Sequence, residues 1–388
     1  MNIITYICNI STFFYVSVIL TLLSCNHSTK LSVYNDMVSC NDSTALYREN
    51  NNTSYCIGNF INPSPLSSQF FEDNNRTEYI IMDDNKLFCC NQDSVMRVLD
   101  ISKCGTLNNY SGFLYLKDTI FVYNYKNKEL FLLDSLCNIK KSWKFNKFSA
   151  NEQYTIDPEA IISSPIKFDY PYIYLSGSRL GQIPLNKRKE IFLSCRIDIE
   201  SDEIVYGSMY PEQYSEADFG GVYFNQVYHT YAEISNNLVL SFPADHCIYL
   251  YDKNLKKFQK HNMGSRYSTN INSSNYNSLE LFIDKELRIK YYISQDSYGN
   301  ILYDKYRDVF YRIARHPLSN WDGGNFVKPF SIIVMNREGI IKSETPILKD
   351  YTKLNLNNIH VTKKGLMIQK MASDENIIEF VTYKYTDK

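Results

Sequence analysis

Past residue 60 the chain is divided into short apolar runs of about four to eight residues, recurring every eight to twelve, with Asn, Asp, Lys and Gly between them. That spacing constrains the fold more than any other feature, because runs this short are too brief for a helix of several turns but suit strands closed by turns. Helical periodicity is scarce. The 33 tyrosines and 22 phenylalanines point the same way, since aromatic side chains fit the pleated, half-buried surface of a sheet. With 44% hydrophobic and 21% charged residues the chain has the composition of a globular protein rather than a disordered one. The reading is all-β.

The runs group into larger repeating units. In residues 112 to 146, Phe113-Leu114-Tyr115-Leu116, Ile120-Phe121-Val122-Tyr123 and Leu130-Phe131-Leu132-Leu133 lead through an Asp134-Ser135 turn to the Lys-rich strand Ile139 to Phe145. A second copy runs from Leu238-Val239-Leu240 through Ile248-Tyr249-Leu250-Tyr251 and the turn Asp252-Lys253-Asn254 to Lys256–Lys260. Others end at Val98-Leu99-Asp100, at Arg196-Ile197-Asp198, and at Ile332-Ile333-Val334-Met335-Asn336. A sixth, in Ile359 to Gln369 and Ile377 to Tyr385, stops short of its last strand. Four-stranded units of this length predict a six-bladed β-propeller with antiparallel blades over residues 61–388. A strand from residues 54–61 is expected to complete the sixth blade. A β-sandwich with a second all-β domain is the alternative.

The N-terminus reads differently. Thr12 to Leu23 form an apolar run of signal-peptide length that ends on Leu22-Leu23-Ser24-Cys25, although Met1 to Ser11 carry no Lys or Arg. The run resembles a bacterial lipobox, which implies a signal peptide over residues 1–24 and acylation of Cys25. Residues 25–60, rich in Asn, Ser and Thr, have the composition of a tether. Of the ten cysteines, Cys40 and Cys56 are a plausible local pair, while Cys195 and Cys247 sit in apolar surroundings that suit small buried hydrophobes. No C-x-x-C spacing suggests a metal site, and no cofactor motif is present.

The lipobox, the Asn-rich stretch and the repeated strand, Asp-turn and Lys-strand units, including Ile248 to Phe258 and Tyr311-Arg312-Ile313-Ala314-Arg315-His316-Pro317, resemble uncharacterised lipoproteins of Bacteroidota. That resemblance implies a six-bladed propeller similar to TolB-type and NHL-type repeats, in the cell envelope and anchored to a membrane, with the outer membrane expected. It implies no activity.

The chemistry-bearing motifs of common enzymes, H-E-x-x-H, G-x-x-x-x-G-K, G-x-G-x-x-G and G-x-S-x-G, are missing. A net charge of -1 without a basic stripe argues against nucleic acid. Arg312, Arg315 and His316 gather positive charge that could clamp a carboxylate or sugar acid. Trp321, beside Asp322 on the Gly323-Gly324 loop, could stack on a sugar ring. Asp245-His246 could orient a general base, and Asp218 with Glu233 could serve glycoside chemistry if brought together. Each also has a plain reading as strand, turn or rim. The expectation is a non-catalytic binding module for an envelope protein or glycan, with a glycan-active hydrolase or lyase in the propeller funnel as the alternative.

Overall fold

The computed structural model describes residues 46–386 apart from 59–60, 74–75, 108–110, 146–155, 157, 179–184, 269–270, 277, 319–320, 322, 325, 348–349 and 372–373. The proposed signal peptide, Cys25 and Cys40 lie outside the described residues. One compact unit spans Thr44–Lys388. Its strands form six antiparallel sheets. The first blade is β3 (Ser68–Glu72), β4 (Thr77–Asp83), β5 (Lys86–Cys90) and β6 (Val95–Asp100), and the second is β7 (Gly112–Leu116), β8 (Thr119–Asn124), β9 (Glu129–Asp134) and β10 (Ile139–Lys144). The third is β11 (Lys167–Asp169), β12 (Tyr172–Ser176), β13 (Ser194–Asp198) and β14 (Ile204–Gly207). The fourth is β15 (Tyr228–Ala232), β16 (Asn237–Ser241), β17 (Cys247–Tyr251) and β18 (Lys257–Asn262). The fifth is β19 (Ser297–Asp304), β20 (Val309–Arg315), β21 (Phe330–Asn336) and β22 (Ile341–Ile347).

The sixth blade takes β23 (Leu354–Thr362), β24 (Gly365–Lys370) and β25 (Ile377–Tyr385) from the C-terminal end of the chain. Its outermost position is filled by two strands from the other end, β1 (Leu46–Arg48) and β2 (Thr53–Cys56). Leu46 pairs with Tyr385 and Thr53 with Phe380. The end of the stretch read from composition as a tether is thus sheet.

The repeats have a physical cause in their turns. Asp134 Oδ1 accepts from the main-chain N–H groups of Leu136 and Asn138, Asp252 Oδ1 from those of Asn254 and Lys256, and Asp198 Oδ1 from those of Glu200 and Ser201. In blades two, three and four a short acidic side chain at the end of the third strand therefore folds the backbone back into the fourth, and Asn91 and Asn336 do the same in blades one and five. The fourth strands are mostly exposed, as the patterns of β10 and β18 show, and the pairing of third with fourth strand is bulged in four blades. Lysines and bulges both discourage edge-to-edge association.

The core consists of apolar clusters set between successive blades rather than one central mass. Ile80, Leu87, Phe113 and Val122 join blades one and two, and Phe121, Trp143, Ile173 and Ile197 join two and three. Tyr174, Leu193, Leu238 and Leu240 join three and four, Val239, Ile248, Tyr298 and Phe310 four and five, and Tyr311, Ile332, Ile359 and Leu366 five and six. Tyr55, Ile57, Phe380, Tyr79 and Ile81 close six onto one. Between blades four and five the sequence reading missed two helices, Ser278–Ile283 and Lys285–Ser294. Asp284 caps the second by accepting from Leu287 N at 2.9 Å, and Leu281, Tyr291 and Tyr292 pack on the cluster of blades three and four. No helix among the described residues is long and apolar enough to cross a membrane.

Candidate functional site

The innermost strands β3, β7, β11, β15, β19 and β23 surround a cavity of about 360 Å³ on the ring axis. At the C-terminal ends of these strands its carboxylates already have bonded partners. Glu72 accepts from Tyr306 Oη at 2.9 Å and from the N–H of Lys363 at 3.1 Å, and Glu233 is bridged to Lys305 at 3.1 Å. Deeper in the channel the balance changes. Lys167 lines the cavity half-buried, and among the described residues its ammonium has no hydrogen bond or ion pair.

Two histidines share this space, and the surrounding hydrogen bonds fix their tautomers. The carbonyl of Pro63 can only accept, so Gln369 donates to it through Nε2 at 2.6 Å and presents Oε1 to Asn358 Nδ2 at 3.0 Å. Asn358 therefore turns Oδ1 toward His360 Nε2 at 2.6 Å, and that nitrogen carries the proton. Nδ1 of His360 is left as a lone pair. His229 is set in the same way, because Nε2 lies 2.7 Å from the carbonyl of Pro165, and its Nδ1 is buried without a partner. Burial first, and then the Lys167 charge, bring both imidazoles down to about 3, the Pro165 carbonyl opposing the shift at His229. Burial also lowers the Lys167 pKa, with Glu233 opposing and Lys305 adding to the effect.

A pH dependence of stability follows. In the unfolded chain both histidines titrate near 6.5, whereas in the folded ring they stay neutral until about pH 3. Below pH 6.5 the unfolded state takes up protons that the folded state refuses, so these groups make stability fall as pH drops from about 6.5 toward 3, and leave it flat above. Each histidine contributes at most about 1.4 kcal/mol per pH unit within that window. Urea midpoints between pH 7.5 and 4.5 should show the slope, and the double variant H229Q/H360Q should flatten it. An equally steep slope in that variant would remove the histidines as its source.

The residues singled out from sequence do not form one site. Arg312 is fully buried. Its Nε donates to Ser241 Oγ at 3.0 Å, Nη1 to the carbonyls of His246 and Met263, and Nη2 to those of Asp245 and Phe242, while the guanidinium lies 3.7 Å over the Tyr298 ring. With its donors so committed, it is not the ligand clamp expected of it. His316 is also buried, between Asp296 at 3.1 Å and Ser331 Oγ at 3.0 Å. Arg315 is half-buried and donates to Tyr292 Oη at 3.1 Å. Burial alone would raise the Tyr292 phenol, but Arg315 and Lys328 outweigh it and bring it down to about 8.

Trp321 lies between β20 and β21 rather than between inner and outer strands. Its Nε1 donates to the Gly324 carbonyl at 2.7 Å and its ring packs on the core, which leaves a half-covered face for a sugar; Asp322 lies outside the described residues. Asp245 accepts from Cys247 N and Tyr249 Oη while His246 Nδ1 meets Tyr298 Oη, so acid and imidazole have separate partners. Asp218 pairs with Arg188 and Glu233 with Lys305, and the glycosidase pair is not assembled. Cys195 is buried, as expected, whereas Cys247 is half-buried, and Cys56 is a free thiol. Among the described residues no group of three or more His, Cys, Asp or Glu is placed to hold a metal ion. A wider open depression of about 820 Å³ runs along residues 47–54, where Arg48 pairs with Asp350 and Lys384 with Glu49.

Sequence reasoning missed Lys167, His229 and His360. They come from blades three, four and six, in the strands Lys167–Asp169, Tyr228–Ala232 and Leu354–Thr362. The usable signal was their place in the first strand of a unit, the strand that faces the axis.

Residues 105–339 match the family described as "Domain of unknown function (DUF4221)". The chain belongs to the DUF4221 family. A crystal structure of a DUF4221 member from Bacteroides vulgatus superimposes with a TM-score of 0.69 at 18% identity, covering 88% of this chain and 99% of that one. A protein from Bacteroides fragilis that carries the description of an exported protein is similar over 89% of this chain and 98% of its own, with a TM-score of 0.52 and 12% identity. No curated protein matches the sequence. The resemblance carried by the repeats is therefore a DUF4221 relationship, and at these identities the structural likeness speaks to the propeller fold alone.

Proposed function

We propose that this DUF4221 chain is an exported module of the cell envelope, held to a membrane by a lipid on Cys25, whose propeller binds a small polar ligand on its axis without transforming it. The carrying observation is the axial cavity of about 360 Å³ with polar groups contributed by several blades, a size and wall composition suited to a small molecule. Non-catalytic binding is favoured over hydrolysis because both carboxylates that line the cavity, Glu72 and Glu233, are committed to partners, so a free acid and base pair is not offered. The lipobox at Cys25 and the exported description of the Bacteroides fragilis relative support the location.

The test uses the full chain in detergent micelles against a panel of envelope and plant saccharides and their monomer acids, recording retention and released reducing ends together. Retention without release supports a binding module. Release of product replaces it with an enzyme, and neither result turns the search to a protein partner. For the anchor, Cys25→Ala is expected to abolish incorporation of labelled fatty acid; unchanged labelling would reject lipidation at that residue.

A further inference from the structure

We infer that the axial ligand is a small polyhydroxy carboxylate of monosaccharide size, with its carboxylate on Lys167 and a hydroxyl donated to Nδ1 of His360. This deepens the binding role proposed above and rests on it. The argument begins with charge. A half-buried ammonium in the channel attracts an anion or several acceptors, and Lys167 has neither bonded to it among the described residues. From β3 it is faced by Ser68 and Glu72, from β15 by His229 and Glu233, from β19 and its end by Lys305 and Tyr306, and from β23 by His360. Each of the two carboxylates in that set is held by another group, Glu72 by Tyr306 and Glu233 by Lys305. Of the charged groups in that set, the Lys167 ammonium is the one without a bonded partner among the described residues, and it is the group left for a ligand.

The second half of the recognition comes from the hydrogen bonds that begin at Pro63. They place the proton of His360 on Nε2 and leave Nδ1 as an acceptor with no protein donor among the described residues. A simple carboxylate would answer Lys167 but not this lone pair. A neutral sugar would answer the lone pair but not the charge. A hydroxy acid answers both, and Phe70, Phe113 and Phe168 supply apolar wall for the C–H faces of a sugar ring. The cavity is at the small end of the range of small-molecule pockets, about 300–1,000 Å³, which favours a monomer over an oligosaccharide.

Calorimetry on the full chain in detergent, with D-glucuronate, D-glucose, acetate and inorganic phosphate as probes, tests the inference. D-glucuronate should bind at least about tenfold tighter than the other three, the loss expected when a buried charge or acceptor goes unanswered. Lys167→Met should bring D-glucuronate down to the affinity of D-glucose while its melting temperature without ligand stays equal to the parent's or rises, since a half-buried charge without a bonded partner is removed. His360→Phe should weaken D-glucuronate and leave acetate unchanged. Unchanged D-glucuronate affinity in Lys167→Met overturns the inference, as does tighter binding of phosphate than of D-glucuronate. A lower melting temperature in Lys167→Met also overturns it, because Lys167 would then be a partner within the fold. If saccharides from the panel are retained but show no dependence on Lys167, the binding role stands and this assignment falls. If nothing is retained, both fall.

Discussion

Replacing Arg312 by methionine is expected to cost about 1–3 kcal/mol for each buried carbonyl that it leaves without a donor, and it leaves more than one. Methionine approximates the volume of the side chain but offers no donor. The carbonyls of Phe242, Asp245, His246 and Met263, which Arg312 gathers from the strand and turns of the fourth blade, would remain buried and lose a charged partner. Because Arg312 belongs to β20 of the fifth blade, the loss falls on an interface between blades. Arg312→Lys should be intermediate, since one ammonium cannot reach in all the directions that the planar guanidinium does. The check is the urea midpoint of each variant beside its yield of monomer. A ligand clamp predicts the opposite pattern, a stable variant with lost binding. A midpoint within experimental error of the parent's would show that the carbonyls find other donors.

The second large effect concerns ring closure. A chain starting at Thr44, where the compact unit begins, should unfold at the parent's urea concentration. One starting at Gly58 should not yield a folded monomer. The second truncation removes β1 and β2, strips the outer partner from β25 and takes away the buried side chains of Leu46, Tyr55 and Ile57. Burial of an apolar side chain of this size is worth about 1.5–3 kcal/mol, so three of them approach the 5–15 kcal/mol by which a typical domain is stable. Tyr55 also makes edge contacts with Phe70 and Phe380, rings 5.5 and 6.2 Å away on the first and sixth blades. Size-exclusion elution together with near-ultraviolet dichroism would decide. A monomer from Gly58 onward with native dichroism would mean that the blade interfaces alone hold the ring.

Much of the blade structure could be read from sequence because each unit carries its own instructions. Phe113 to Phe145 alternate apolar and polar in strand-length pieces and turn on Asp134, whose side chain makes the turn through its own hydrogen bonds. Such information is local. Arg312, by contrast, looks in sequence like any charge near the end of a strand, and only the closing of the fourth blade over it decides that its donors meet carbonyls rather than solvent. The same reason hid Lys167, His229 and His360, which become neighbours through the ring and not through the chain. The tautomer of His360 depends on Pro63, which is remote in sequence and belongs to the segment entering the first blade. The helices after residue 277 were missed for another reason. Their apolar residues sit in short segments flanked by polar ones, and packing against blades three and four, rather than propensity, stabilises them.

A sheet assembled from both ends of the polypeptide sets an order of events during synthesis. β1 and β2 are among the first parts of the compact unit to emerge from the ribosome, yet their partner β25, ending at Tyr385, emerges last of all the strands. Until then the aromatic face of Tyr55 has no sixth blade to rest on, and the loop that must close is nearly the whole unit, the slowest kind of contact to form. The ring therefore stays open until β25 has been made.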